Sequence, residues 1–318
     1  MRWRNSFGAC SQGLDNGGSD RRGRSVTLVI VALTVVSLTG LPGCTPQSGA
    51  GPGQAGHSPT VDLSPLAGAL TVAGAGDLCG DCGPTAALLR GVPGLDLVLT
   101  LGDNAYSDGT IADFTENYDP YWGRFNPIVK PSAGNHDHGT SNAQGYRDYF
   151  DMPSGPLYYS FDSGGWHFVA MDTTVMDSTQ VSWIAEDLAS DGHMCEIAYG
   201  HHPRFSSGAK HGSQSSQAAA WKALVGQDVD IVLYGHDHVY ERFAPMNGAG
   251  GPDDDGSRAF VVGTGGADLY SFDHPLPTSE ARLLDHGVIV LQLGQGRYSW
   301  HFVDTDEVVR DSGSGTCH

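Results

Sequence analysis

Beyond residue 69 the chain alternates short apolar runs with polar loops and stretches of helical period. Five runs end on a glycine followed by a polar residue: ALTVAGAGD (69–77), LDLVLTLGD (95–103), IVKPSAGNH (128–136), EIAYGH (196–201) and VDIVLYGH (229–236). Their shortness and β-branched content predict buried strands closed by the glycines. Between them, residues 84–90 predict a short helix, with Pro84 in its first turn and Gly91 beyond its end. Residues 179–189 place Val181, Ile184 and Leu188 on one helical face, and 214–225 read as a helix through Ala218, Trp221 and Leu224. Asp162 and the Ser-Gly-Gly after it, set between two apolar runs, predict a hairpin. After Phe243 the runs AFVVGTGG (259–266), GVIVLQL (287–293) and RYSWHFV (297–303) have little helical pattern between them and suggest an antiparallel meander.

The marked strand ends are spaced 26 residues (Asp77 to Asp103), 32 (Asp103 to Asn135), 66 (Asn135 to His201) and 35 (His201 to His236). Most of these match one strand-helix-strand unit of roughly 30 residues. In open α/β sheets the functional crevice lies at the carboxyl ends of the strands, so the five polar positions are expected to be neighbours in space. His236 and His238 are two apart, so in an extended segment both imidazoles point one way and Asp237 another. That is a metal-ligand spacing.

Taken in order, Asp77, Gly102-Asp103, GNHD (134–137), GHH (200–202) and GHDH (235–238) resemble the calcineurin-like metallophosphoesterases. GDNAY (102–106) together with GHDHVYER (235–242) is most similar to the purple acid phosphatase branch. The resemblance runs from residue 69 to the C-terminus. It implies an α/β fold, a four-layer α/β/β/α sandwich, with two metal ions at the carboxyl ends of the strands. By that match Asp103 bridges the ions, Asp77, Tyr106 and His238 hold the first, and Asn135, His201 and His236 hold the second. Nitrogen and oxygen ligands of this kind suit Fe, Zn or Mn.

Most of the wider family has Asp-x-His at the first motif, whereas Cys79 stands at the third position here, which leaves the first ion one ligand short. The resemblance places a phenolate at Tyr106 to complete that shell, which favours Fe(III) there and leaves Fe, Zn or Mn for the second ion. Cys79 as a thiolate ligand is the rival, and a disulfide to Cys82 is the other use of that thiol. The same resemblance sets His136 beside the phosphate with Asp137 as its orienting partner, and sets His211 near the leaving group unless 210–211 is a surface loop. His202 reads as pocket lining or a solvated histidine. Arg204 either clamps phosphate or packs under the rim. His167 and His301 read as ordinary sheet residues, and the acidic run 253–255 as a solvated loop rather than a calcium site.

The first 43 residues have a different character. Arg2, Arg4, Arg21, Arg22 and Arg24 precede an uncharged run at 25–41, as in a secretory signal. LPGC, ending at Cys44, resembles a bacterial lipobox, which implies lipidation of Cys44 and an N-terminal membrane anchor; ordinary signal cleavage and retention as an anchor stay open. Residues 44–68 are rich in Gly, Ser and Pro and read as a tether, leaving 69–318 as one catalytic domain with a sizeable core. Without the five arginines and two aspartates of the leader, 12 basic and 34 acidic residues remain, a formal net charge of −22. Such a surface repels polyanions, so nucleic acid is not an expected partner. Cys79, Cys82, Cys195 and Cys317 would then lie in an oxidising compartment, where three pairings are possible. A zinc or redox reading of Cys79 and Cys82 lacks a second pair of similar spacing.

The expected protein is therefore an exported metal-dependent phosphoric ester hydrolase, a membrane lipoprotein facing outside or a secreted enzyme. Phosphomonoesters would be cleaved by attack of metal-bound hydroxide on phosphorus, with a small phosphate ester as substrate. A phosphodiesterase of the same fold and a non-catalytic metal- or phosphate-binding lipoprotein are the alternatives, because loops outside the motifs set substrate choice.

Overall fold

The computed structural model describes residues 68–318. The expectations for the signal segment, for Cys44 and for most of the tether fall outside these residues. Among the described residues, no helix is long and apolar enough to cross a membrane.

Two sheets carry the fold. The first contains β1 (Leu70–Ala75), β2 (Leu95–Leu101), β3 (Val129–Ser132), β11 (Gly287–Gly294), β12 (Arg297–Asp304) and β13 (Val309–Thr316), in the order β13-β12-β11-β1-β2-β3. The second contains β4 (Tyr159–Ser163), β5 (Trp166–Ala170), β6 (Glu196–Tyr199), β7 (Ile231–Tyr234), β8 (Tyr240–Phe243), β9 (Arg258–Val262) and β10 (Ser279–Leu283), in the order β10-β8-β9-β7-β6-β5-β4. In the first sheet β1, β2 and β3 run parallel, and in the second β5, β6, β7 and β9 do. The helices are α1 (Gly83–Gly91), α2 (Ile111–Asp113), α3 (Gln144–Phe150), α4 (Ser178–Ser190) and α5 (Ala218–Val225).

The second sheet explains why its strands read as unbroken apolar runs. Side chains alternate between faces, and both faces are covered. Phe168, Ile197, Ile231, Leu233 and Phe260 join the core that also holds Val98, Leu99, Ile289 and Leu291 of the first sheet. Val169, Ala198, Val232 and Val261 point the other way and pack with Ile184 and Leu188 of α4 and Trp221 and Leu224 of α5. On the first sheet α1 lies against β11. The result is the expected α/β/β/α sandwich.

Two features differ from the expected layout. The run at 259–266 is not part of a meander with the two later runs: it supplies β9, which lies parallel to β7 in the second sheet. The meander is β11-β12-β13, and its last strand has no hydrophobic run to announce it. Asp311 of β13 accepts from Tyr240 Oη at 2.7 Å, Arg242 Nε at 2.7 Å and Trp300 Nε1 at 3.1 Å, so this strand is fixed by polar contacts. The cysteines choose one of the three pairings, Cys79 with Cys82 and Cys195 with Cys317. Cys195 precedes β6 and Cys317 follows β13, so the second bond ties the two sheets together covalently.

Candidate metal centre

The carboxyl ends of β1, β2 and β3 in one sheet and of β6 and β7 in the other converge on a buried group of polar atoms. Two of the turns need glycine there. Gly102 has φ +80°, and a Cβ on it would lie 2.5 Å from His201 Nδ1; a Cβ on Gly235 would lie 2.7 Å from Asp77 Oδ2. Three non-glycine residues at these ends also take left-handed backbone, Asp77 at φ 57°, Asp103 at 50° and His236 at 72°. Such conformations are unfavourable for residues with a Cβ and cluster at functional sites.

The polar atoms form two groups of four. In one, Tyr106 Oη lies 3.2 Å from Asp77 Oδ1, 3.3 Å from Asp103 Oδ2 and 3.4 Å from His238 Nε2, with His238 Nε2 3.2 Å from Asp77 Oδ1. In the other, His201 Nε2 lies 3.1 Å from Asn135 Oδ1, 3.2 Å from His236 Nδ1 and 3.3 Å from Asp103 Oδ2. Asp103 Oδ2 belongs to both. Main-chain amides fix the carboxylates: His236 N donates to Asp77 Oδ2 and His136 N to Asp103 Oδ1, each at 2.8 Å.

The donor inventory fits cations. His201 Nδ1 donates to the Leu101 carbonyl at 2.8 Å, and His238 Nδ1 to the Asp268 carbonyl at 2.7 Å. A neutral imidazole has a single N–H, so each Nε2 faces the group as a lone pair, the usual arrangement behind a metal-ligating histidine. Tyr106 has one proton for three acceptors. Protons are the only substitute for a cation here: burial disfavours charge on His201, yet Asp103 and Asp77 outweigh it and push it up to about 9. His236 is driven far down by burial and by His201, and Tyr106 far up by burial and by Asp77 and Asp103. Metal ions would relieve both opposing shifts together. Cys79 is held in its disulfide and is not available as a thiolate.

The surrounding residues divide. His136 packs its ring on Tyr106, 4.5 Å between centroids, and its Nδ1 meets the Ser107 carbonyl, with Nε2 3.8 Å from Asp103 Oδ2. Asp137 is not its orienting partner. The Asp137 carboxylate accepts from Gly134 N at 2.8 Å and from Asn104 Nδ2 at 2.9 Å, which joins the β2 and β3 loops beneath the site. Burial, reinforced by Asp103, pushes Asp137 up to about 7. His202 and His211 flank His236, with ring centroids at 4.2 and 4.1 Å. His202 Nδ1 faces Thr173 Oγ1, and burial and His201 bring its pKa down to about 3. Burial also lowers His211, whose amide donates to Asp237 Oδ1 at 3.1 Å. Arg204 stacks its guanidinium over Phe205 at 4.6 Å.

Two supports were not read from the sequence. Tyr270 stacks on His238 with 4.0 Å between centroids, and Lys210 Nζ donates to its hydroxyl at 2.6 Å. Thr173 Oγ1 accepts from the amides of His201 and His202. Neither lies beside a glycine-marked strand end, which is the signal that exposed the other positions. Asp237 points away from the two histidines, although the segment is a turn with His236 at φ 72° rather than an extended strand, and anchors the 206–212 loop through Ser206 Oγ at 2.6 Å and Gly212 N at 2.9 Å.

Residues 70–240 match the model of the calcineurin-like phosphoesterase family. Purple acid phosphatase 15 of Arabidopsis thaliana is 30% identical over 46% of this chain and 36% of its own length. Purple acid phosphatase 22 of the same plant is 29% identical over 65% of this chain and 54% of its own length. The chain therefore spans about half, or less, of these two relatives. Among solved structures, the purple acid phosphatase PPD1 from yellow lupin seeds superposes with a TM-score of 0.67 at 21% identity, covering 78% of this chain and 54% of the lupin chain. GAP50, described as the anchor in the inner membrane complex of Plasmodium, has a TM-score of 0.63 at 18% identity, covering 79% of this chain and 89% of that one. These structures share the fold.

Proposed function

The chain belongs to the calcineurin-like phosphoesterase family, and from that premise we propose that it is an exported, lipid-tethered phosphomonoesterase of the purple acid phosphatase type. The observation that carries the reading is the pair of four-donor groups sharing Asp103 Oδ2. Asp77, Asp103, Tyr106 and His238 would hold one ion, Fe(III) by preference if Tyr106 binds as phenolate. Asp103, Asn135, His201 and His236 would hold the other, Fe, Zn or Mn. Bound there, two cations supply charge neutralisation for a phosphoryl group and a nucleophile near neutral pH.

The chain's own residues complete the chemistry. Asp103 keeps both positions at one spacing because its second oxygen is tied to the His136 amide. His202 and His211, held below the ordinary histidine range, stay neutral and each can offer one N–H to a phosphoryl or leaving oxygen. His136, beside Tyr106, lies on the same side as the bridging carboxylate. Arg204 over Phe205 takes the packing role rather than the phosphate clamp. Export through the first 43 residues is supported by the two disulfides, which suit an oxidising compartment, while attachment at Cys44 rests on the LPGC sequence.

Hydrolysis of p-nitrophenyl phosphate and bis-p-nitrophenyl phosphate, with metal analysis of the same sample, tests the activity. Faster monoester turnover with two ions per chain is expected. A diester preference would select the phosphodiesterase reading, and two bound ions with no turnover would select a binding protein. Mass spectrometry of the mature N-terminus tests the anchor: a lipid-modified Cys44 is expected, and a mature end elsewhere rules it out.

A further inference from the structure

At the opposite ends of the second sheet's strands stands another group of ligating side chains, formed by Asp162, His167, Asp191 and His193. Asp162 lies on β4 and His167 on β5, Asp191 caps α4, and His193 lies in the turn before β6. One oxygen or nitrogen from each falls within 4.8 Å of all the others. His167 is a sheet residue, as its sequence position suggests, and its ring meets three carboxylates.

Hydrogen bonding fixes what this group lacks. His167 Nε2 lies 3.0 Å from Asp187 Oδ2, whose other oxygen accepts from Ser160 Oγ at 2.9 Å. If that contact takes the single N–H of a neutral ring, Nδ1 is a lone pair. It faces Asp162 Oδ1 at 2.7 Å and Asp191 Oδ1 at 3.6 Å, acceptor against acceptors. His193 Nδ1 lies 2.8 Å from Asp191 Oδ1 and 4.0 Å from Asp162 Oδ1, and Asp191 Oδ2 is fixed by the His193 amide at 2.9 Å. These separations straddle the edge of ~3.3 Å expected for a tetrahedron with metal-ligand arms of about 2.0–2.1 Å. The carboxylate behind His167 is the support that a metal-binding histidine commonly has.

We propose that His167, His193, Asp162 and Asp191 form a structural zinc site, separate from the candidate metal centre. Two imidazole nitrogens and two carboxylate oxygens near tetrahedral separations suit Zn(II), and with four protein donors the site is of the closed, structural kind. It clamps the β4–β5 hairpin to the end of α4 and to the turn leading into β6.

Zinc content and anomalous diffraction at the zinc edge test this on the whole protein supplemented with zinc. Asp162 is 59% exposed and His193 28%, so Asp162→Asn and His193→Gln, alone and together, leave the fold intact. The double variant is expected to lose one zinc per chain, to lose the anomalous peak among these four residues, and to keep the ions at Asp103. Loading with zinc should raise the thermal unfolding temperature of the wild type by a few degrees more than that of the double variant, which keeps only the ions at Asp103. Equal zinc content in wild type and double variant, or no anomalous peak among the four atoms, would overturn the site and leave a hydrogen-bonded network of histidines and carboxylates.

Discussion

The two ends of the same strands are built on opposite terms. At the carboxyl ends of β6 and β7, acceptors face acceptors: His201 Nε2 looks at Asn135 Oδ1 and Asp103 Oδ2, and Tyr106 has one proton for three partners. At the amino ends, Asp230 accepts from the amides of Glu196 at 2.9 Å and His318 at 3.1 Å, and Cys195 is bonded to Cys317. One edge gathers donors suited to cations beneath an open rim, whereas at the other, outside the group around His167, the polar groups are paired within the protein. Function and cohesion are thus separated along the strand direction, so substitutions at the two edges should affect different measurements.

The largest expected effect is at the rim. Asp103→Asn removes the charge common to both donor groups, so turnover should drop by about 10³-fold or more, roughly 4 kcal/mol in the barrier, while circular dichroism is unchanged. Near wild-type turnover with two ions bound would erase the contrast between the edges. Cys317→Ser should do the reverse. A bond closing 122 residues contributes on the order of 5 kcal/mol in the chain-entropy view, so denaturation should shift strongly and kcat stay level.

Tyr106→Phe sharpens the picture within the rim. The proposed phenolate-iron contact predicts a pink to purple oxidised protein that loses its colour in this variant, with activity falling less than in Asp103→Asn because water can replace a terminal ligand. Unchanged colour would remove Tyr106 from the first group. The smallest effect concerns pH. Burial, then Asp191 and Asp230, push Glu196 from 4.5 up to about 7. Between those values the folded chain holds more protons than the unfolded one, so this residue makes stability decline as pH rises through the window and level off above it. Glu196→Gln should flatten that slope in denaturant titrations from pH 4.5 to 7; an unaltered slope would place its origin elsewhere.

Five of the rim donors, Asp77, Asp103, Asn135, His201 and His236, were legible because they sit where apolar runs stop, each just after a glycine, whereas Tyr106 was assigned through the family resemblance. The spacing of His236 and His238 suggested a ligand pair, and the other glycine-marked strand ends gave that suggestion its weight. Other features lacked such a signal. Strand β13 is held by Asp311, whose partners Tyr240, Arg242 and Trp300 lie on other strands. Asp137 shares a motif with His136 but turns its carboxylate under the loop instead of toward the imidazole. His167 looked like no more than a sheet residue because its partners come from a hairpin and a helix end, which only the β5–β6 pairing brings together.

The donors at the rim are divided between the sheets: Asp77, Asp103, Tyr106 and Asn135 follow strands of the first, and His201, His236 and His238 follow strands of the second. Neither sheet carries a full quartet. Contacts so distant in sequence form late, after the loops between them have closed. The half-built protein therefore offers each ion only a partial set of ligands. Each donor group becomes complete only when the two sheets have packed against each other.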